Sequence, residues 1–158
     1  MAKFLNIKRE MDTAANHARN LQTSLEDLAY RAKRVFRAQK TGKPVYDRTF
    51  ADDLAAVRKM TRSFVQIASS IQPRARSAMR AVGASVPESD RRMLEASARK
   101  LKKCAQEATE SARSVSHYCL SPSDKSTATY VITDLERLHV GGIGGGGEQT
   151  QQSSFDND

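Results

Sequence analysis

Histidine and cysteine, the residue types best suited to metal binding or nucleophilic catalysis, are few in this chain and poorly spaced. The histidines are His17, His117 and His139, and the thiols are Cys104 and Cys119. His117 and Cys119 are two residues apart and would point to different faces of a helix, whereas ligands on one helix need a spacing of three or four. The sequence therefore predicts no metal site and no cofactor.

Paired carboxylates could support acid–base catalysis, but the pairs in this sequence do not converge. Those at 26–27 and 52–53 are neighbours, and neighbouring side chains on a helix diverge by about 100°. Glu107 and Glu110 share a face but have no ring, histidine or cation drawn to the same place. The glycine-rich stretch 141–147 follows no strand and ends in no Gly-Lys-Ser or Gly-Lys-Thr, so it is not a phosphate loop. We predict that the protein is not an enzyme.

Positive charge is the clearest chemical property of the chain. The net charge is +8, but residues 141–158 contain three acids and no Lys or Arg. The body up to residue 140 therefore holds 26 basic and 15 acidic residues, a net charge of +11. Such an excess attracts polyanions, which include nucleic acid, anionic lipid and acidic proteins.

A first basic cluster surrounds the end of the first predicted helix and is interleaved with Tyr30, Phe36 and Tyr46. Cations beside aromatic rings can contact phosphates while exposed bases stack on the rings. A solvated helix end explains the same pattern without a ligand, because cations also suit the C-terminal end of the helix dipole. The members of this cluster are Arg31, Lys33, Arg34, Arg37, Lys40, Lys43 and Arg48.

A second basic cluster is predicted at the opposite end of the molecule, close to Lys3, Lys8 and Arg9. Positive charge at both ends would let a rod bridge two anionic segments, although Lys and Arg also fill ordinary exposed helix positions. No helix-turn-helix or separate basic region is present, so contacts with nucleic acid would be salt-sensitive and directed at the backbone. The members are Arg74, Arg76, Arg80, Arg91, Arg92, Arg99, Lys100, Lys102 and Lys103.

Long helices are expected to position these clusters, because apolar residues recur at alternating spacings of three and four. The first such series predicts one helix from about residue 3 to residue 40. Gly42 and Pro44 end it, since glycine accepts the helix-ending conformation and proline cannot continue the hydrogen-bond ladder. The series consists of Phe4, Ile7, Met11, Ala14, Ala18, Leu21, Leu25, Leu28, Ala32 and Val35.

Two further series predict a second and a third long helix. The second runs from Phe50 to Val82 and is interrupted by Pro73, where we expect a kink because the proline ring removes a backbone donor. The third runs from Leu94 to Cys119, in a helix that begins at residue 88 or 89. Four alanines at its centre would let a neighbouring helix approach closely.

A short fourth helix is predicted from Ser121 to about Leu138, with Ser121 as the cap and Pro122 in the first turn. Residues 1–140 then form one basic helical bundle, and residues 141–158 form a Gly-rich linker and an acidic disordered tail. The predicted fold class is all-α: an elongated up-down-up bundle of three long heptad-patterned helices with a shorter fourth against it. The period does not distinguish seams that close within one chain from seams that close between chains.

The leading functional hypothesis is a non-enzymatic interaction or assembly protein, a small structural subunit of a nucleoprotein or other polyanion-associated complex. Its partner would be a helical protein or a second copy of the chain. The alternative is a sequence-nonspecific nucleic-acid-binding accessory protein that uses the basic clusters within 31–48 and 74–103. A protein lying on anionic membrane or serving as a secretion-type chaperone is a third, weaker hypothesis. With no apolar signal segment and no run long enough to span a membrane, we expect a cytoplasmic chain.

Overall fold

A computed structural model of the protein describes residues 2–80 and 87–140, which form four α-helices and no strand. The prediction of an all-α chain is therefore confirmed for this part of the chain. The predicted linker and tail, 141–158, and residues 81–86 lie outside the described residues. The helices are α1 (Ala2–Lys40), α2 (Phe50–Arg80), α3 (Glu88–Tyr118) and α4 (Pro122–Val140).

The end of α1 has the hydrogen-bond pattern of a glycine-capped helix. Gly42 has a φ of +79°, a conformation that costs glycine little because it has no Cβ. Its N–H donates to the carbonyl of Gln39 at 3.3 Å, and the N–H of Lys43 donates to the carbonyl of Ala38 at 3.2 Å. These two bonds satisfy carbonyls that the helix leaves unpaired. The predicted stop at Gly42 is confirmed, and residues 41–49 form the α1–α2 loop.

The second helix continues through Pro73 from Phe50 to Arg80, so the proline does not end it. A proline inside a helix removes one backbone donor and crowds the turn before it. The Arg74 side chain lies in the same turn and donates from Nε to the carbonyl of Ser70 at 3.3 Å. The expected kink near Pro73 stays a prediction.

One apolar core runs along all four helices. The side chains of Met11, Leu54, Leu101 and Leu135, one from each helix, are at most 1% exposed. Two threonines, Thr61 and Thr109, also lie in this core. Each hydroxyl donates to the backbone carbonyl four residues earlier at 2.8 Å. A buried hydroxyl that has a partner avoids the cost of an unsatisfied polar group. The core is therefore closed within a single chain.

Each helix packs mainly against two neighbours. The largest interface joins α1 to α3, while α2 contacts α1 and α4, and α3 contacts α4; α2 and α3 touch little. Both helices of this largest interface bury alanines: Ala14 and Ala18 of α1 and Ala108 and Ala112 of α3 are completely buried. Small side chains let the two helix backbones come close together.

Contacts between distant residues define the two ends of the bundle. At one end Arg31 reaches Asp47 in the α1–α2 loop, and Phe36 packs on Tyr118 at the end of α3. We call this end the loop pole (residues 30–50 and 117–125). At the other end Arg74 of α2 binds Glu10 of α1. We call this end the opposite pole (residues 5–12, 72–80 and 88–103).

Candidate polyanion-binding surface

Arg31 is the most strongly engaged cation of the first basic cluster. Its Nε and Nη2 groups donate to the two carboxylate oxygens of Asp47 at 2.7 and 2.9 Å, and Nη1 donates to Asp53 at 2.9 Å. Weaker bonds run to Asp27 at 3.3 Å and to the Thr49 hydroxyl at 3.0 Å. The side chain is only 18% exposed. Its donors are thus used within the protein, and Arg31 holds the α1–α2 loop against α1 and α2.

The charges in this network stabilise one another. Hydrogen bonding from Arg31 holds the pKa of the Asp47 carboxyl below its usual range, because the bond favours the charged form. Hydrogen bonding from Asp47 raises the pKa of the Arg31 guanidinium in the same way. Arg31 also lies over the buried ring of Phe50, 5.7 Å from its centroid. The network therefore fixes the start of α2 as well as the loop.

The anchored α1–α2 loop exposes a tyrosine between two cations. Tyr46 is 83% exposed, although it directly precedes the anchored Asp47. Lys43 and Arg48, on either side of it, are also exposed, and neither pairs with a carboxylate among the described residues. This loop therefore presents a ring and two available positive charges.

The remaining rings of the loop pole form a packed cluster at the ends of α1 and α3. Phe36 meets Tyr118 edge to face with 5.5 Å between ring centroids, and His117 meets Tyr118 at 4.7 Å. Lys33 lies 5.6 Å from the Tyr118 centroid, and Lys40 lies 4.6 Å from the Phe36 centroid. Cations in these positions are attracted to the ring faces. Phe36 is consequently a packing residue, whereas Tyr46 is free to contact a ligand.

Arg34 and Arg37 complete the first cluster on the outer surface of α1. They are three residues apart and therefore share a face with Tyr30, which is 69% exposed. Within the described chain neither arginine has a carboxylate partner. With Lys40, Lys43 and Arg48, they form a set of exposed cations that we call the loop-pole cations.

A cavity of about 310 Å³ opens beside Tyr46. Sequence reasoning missed it, because the walls come from the end of α1, the loop and the α3–α4 junction, which no local pattern brings together. The only hint was an apolar residue at a turn, Leu120, which is 47% exposed. The lining residues are Ala32, Val35, Gln39, Val45, Tyr46, Asp47, Phe50, Tyr118, Cys119, Leu120, Ser121 and Asp124.

Two ionisable groups in the cavity wall have raised pKa values. Burial raises the pKa of the Cys119 thiol to about 11, with a smaller contribution from the nearby Asp124 charge. Burial also raises the pKa of Asp124. A thiol is nucleophilic only as the thiolate, so Cys119 acts here as a small buried apolar residue.

Three arginines of the second basic cluster are paired with carboxylates. Both terminal nitrogens of Arg74 donate hydrogen bonds to the Glu10 carboxylate. This hydrogen bonding lowers the pKa of the Glu10 carboxyl. Lys100 lies near Asp12, and Arg76 also has an interaction partner. Two further ion pairs lie within α3: Arg91 with Glu95 at 3.3 Å, and Arg92 with Glu88 at 2.7 Å.

Four residues of the second cluster lie apart from these pairs, namely Arg80, Arg99, Lys102 and Lys103. They have no carboxylate partner among residues 2–80 and 87–140. None of the exposed tyrosines, Tyr30, Tyr46 and Tyr130, lies within 20 residues of them in the sequence.

The structure and the comparisons add three limits. In residues 2–80 and 87–140, no three His, Cys, Asp or Glu side chains lie close enough together to hold a metal ion. No helix of the same residues combines the length and the apolar character needed to cross a membrane. Comparisons with protein-family models, curated proteins and solved structures give no match to this chain.

Proposed function

We propose that this protein is a non-enzymatic, polyanion-binding helical protein that serves as a small structural subunit of a nucleoprotein or other polyanion-associated complex. Its binding surface is the loop pole. The observation that carries the proposal is the set of loop-pole cations, which are exposed and lack carboxylate partners in the described residues; two of them, Lys43 and Arg48, lie on the same loop as the exposed Tyr46, which lines a cavity.

The shape of the molecule supports this function. In the architecture that we propose, the helices run up, down, up and down. Arg31, near the end of α1, pairs with Asp47 just before the start of α2, whereas Glu10, near the start of α1, pairs with Arg74 near the end of α2. At about 1.5 Å per residue, the 39 residues of α1 make a rod of about 58 Å. Such a rod presents its most available charge at one end.

Binding through the loop-pole cations is expected to be electrostatic and largely independent of base sequence. Each phosphate that a cation neutralises releases a condensed counterion, so the affinity falls as salt rises. The arginines add planar donors that match phosphate oxygens. Arg31 contributes little to this contact, because its donors are already used by Asp47 and Asp53.

The test compares two variants with the same change in net charge. One replaces Arg34, Arg37, Lys43 and Arg48 with alanine, and the other replaces four ion-paired arginines, Arg74, Arg91, Arg92 and Arg113. Affinity for labelled single-stranded and duplex DNA is measured by fluorescence anisotropy at 50 and 200 mM NaCl. Circular dichroism checks that both variants fold.

The loop-pole variant is expected to lose more than tenfold in affinity, and its salt slope should fall by up to about 3 for single strands. The ion-paired variant should lose much less, because its arginines are already neutralised by carboxylates. Equal losses of affinity in the two variants would show that binding depends on the overall charge and not on the loop pole. No binding to either nucleic acid at 50 mM NaCl would overturn the proposal.

Self-association is a second candidate function, favoured by one observation on α2. Met60 and Ile67 are each 42% exposed and lie seven residues apart on the same face. Met60 also borders a groove of about 460 Å³ against α1, which includes Phe64 and His17. The core seams are closed within one chain, so a second copy would dock on this edge.

Light scattering coupled to size-exclusion chromatography measures this association directly. A dimer that becomes monomeric in the Met60→Gln, Ile67→Gln double variant would support docking at this edge. The matched control replaces Leu5 and Leu120, which are exposed to a similar extent elsewhere, with glutamine. A wild-type monomer at high micromolar concentration would exclude the second candidate.

A further inference from the structure

Tyr46 lies on a loop whose backbone is anchored on both sides. The capped end of α1 fixes one side of the loop through the N–H groups of Gly42 and Lys43. The pair of hydrogen bonds from Arg31 to Asp47 fixes the other side, directly after Tyr46. A group that is already ordered loses less conformational entropy when it binds. The fold therefore holds the backbone that carries the exposed Tyr46 ring in a defined position.

The cavity beside this ring has the size and polarity expected for one flat, partly apolar group. Its volume of about 310 Å³ is at the lower end of the range for small-ligand sites. Val35, Tyr118 and Leu120 supply apolar walls, while Gln39 and Ser121 supply an amide and a hydroxyl. A nucleobase has two apolar faces and a polar edge, so its chemistry matches this combination.

Three exposed cations lie close in sequence to residues that line the cavity, or contact a ring that packs against its wall. Lys43 and Arg48 lie three residues before and two residues after Tyr46. Lys40 covers the ring of Phe36, which in turn packs against Tyr118 of the cavity wall.

Two carboxylates also line the cavity. Asp47 is paired with Arg31. Asp124 is the second, and burial raises its pKa. Because the lining holds these acids and no Lys or Arg, phosphates are expected to lie outside the cavity, on the exposed loop.

We propose that the loop pole binds single-stranded nucleic acid, with one unpaired base stacked on Tyr46 at the mouth of the cavity. The phosphates on either side of that base contact Lys40, Lys43 and Arg48. This inference rests on the proposed polyanion-binding function and specifies its ligand. A duplex fits less well, because its bases are paired and stacked inside the helix, whereas a single strand can offer a base to an aromatic platform.

The experiment measures binding of the full chain to a labelled 12-nucleotide oligothymidine and to a blunt 12-base-pair duplex by fluorescence anisotropy at 100 mM NaCl. The test variant is Tyr46→Ala, and the conservative variant is Tyr46→Phe, which keeps a ring that can stack. Tyr130→Ala is the control, because this tyrosine is also exposed but lies on α4 beside Arg58. Since Tyr46 makes few contacts, its removal should not unfold the protein, as circular dichroism would show.

Wild-type protein should prefer the single strand, and Tyr46→Ala should weaken that binding roughly tenfold or more while changing duplex binding less than about twofold. Tyr46→Phe and Tyr130→Ala should bind like the wild type. Unchanged single-strand binding in Tyr46→Ala, an equal loss for both ligands, or a preference for the duplex would overturn the inference and leave polyanion binding in place. Absence of binding to both ligands would remove the proposed function itself.

Discussion

At the opposite pole, Arg74, Arg91 and Arg92 each have a carboxylate within hydrogen-bonding distance. At the loop pole, three carboxylates converge on the single residue Arg31, and the cations around it are left exposed. The two clusters hold similar numbers of basic residues, but the acids of the opposite pole pair with separate arginines, whereas those of the loop pole converge on one arginine and leave the other cations available. The number of charges therefore says less about binding than the distribution of their partners.

The largest difference between the poles should appear when each main arginine is removed. Arg31→Ala leaves Asp47 and its neighbours without their cation and releases the loop. Because Arg31 is mostly buried, we expect a loss of about 2 kcal/mol in the free energy of unfolding, between the ~0–1 kcal/mol of exposed pairs and the ~3–5 kcal/mol of buried pairs. Arg74→Ala should cost less than about 1 kcal/mol, since that pair is over 40% exposed on both sides.

Urea denaturation followed by circular dichroism measures both values under the same conditions. Arg31→Lys is the useful control, because it keeps the charge but loses the planar pair of donors, and it should recover only part of the stability. Equal stability losses at the two poles would break the comparison, since it depends on Arg31 having a structural role that Arg74 lacks.

A smaller effect is expected at the glycine that ends α1. Gly42→Ala should reduce the free energy of unfolding by about 1 kcal/mol, because an alanine is strained at a φ of +79°. No atom lies within 4 Å of the added Cβ, so the cost is conformational and not steric. Gly42→Asn, which tolerates this conformation better, should cost less in the same denaturation experiment. A larger loss for asparagine than for alanine would contradict this explanation.

The smallest effect concerns acid sensitivity. Asp47 and Glu10 have lowered pKa values in the folded protein, so their stabilisation is present above the usual carboxyl pKa and is lost as the pH falls through the folded value. Arg31→Gln and Arg74→Gln should each flatten the loss of stability as the pH falls below about 4. The raised pKa of Asp124 acts in the opposite direction, but equally in both variants.

Thermal melts at half-unit pH steps give these slopes. We expect the flattening to be greater for Arg31→Gln, because its carboxylate partners are more numerous and its side chain is less exposed. A greater flattening for Arg74→Gln would show that acid sensitivity originates mainly at the opposite pole.

Helix boundaries were predictable because they depend on neighbouring residues. The stop at Gly42 and the start at Pro122 follow from conformational preferences, and the Asp124 N–H does donate to the Ser121 hydroxyl at 3.4 Å. The ion pairs within α3 could also be predicted from the sequence, since Glu88 and Arg92 are four residues apart. Only local rules are needed for these features.

The candidate site was only partly predictable, because it combines segments that are distant in sequence. The first basic cluster was visible, but its members could not be divided into engaged and available cations. In the sequence, Arg31 does not differ from its neighbours. Its partners are Asp47 in the loop and Asp53 at the start of α2, which only the fold brings close to it. The distinction between Phe36 and Tyr46 likewise depends on Tyr118, which is 82 residues from Phe36.

The interface between α1 and α3 also affects how the protein is made. During synthesis, α1 is complete at residue 40, but its largest partner is complete only at residue 118. At about 5–20 residues per second, the ribosome needs roughly 4–16 s to produce the segment between them. Throughout this interval the apolar face of the nascent α1 lacks its main cover, so it is open to chaperones or to α3 of a neighbouring chain. A fragment that ends at residue 87 should accordingly give little helical signal by circular dichroism, and a fully helical fragment would refute this dependence.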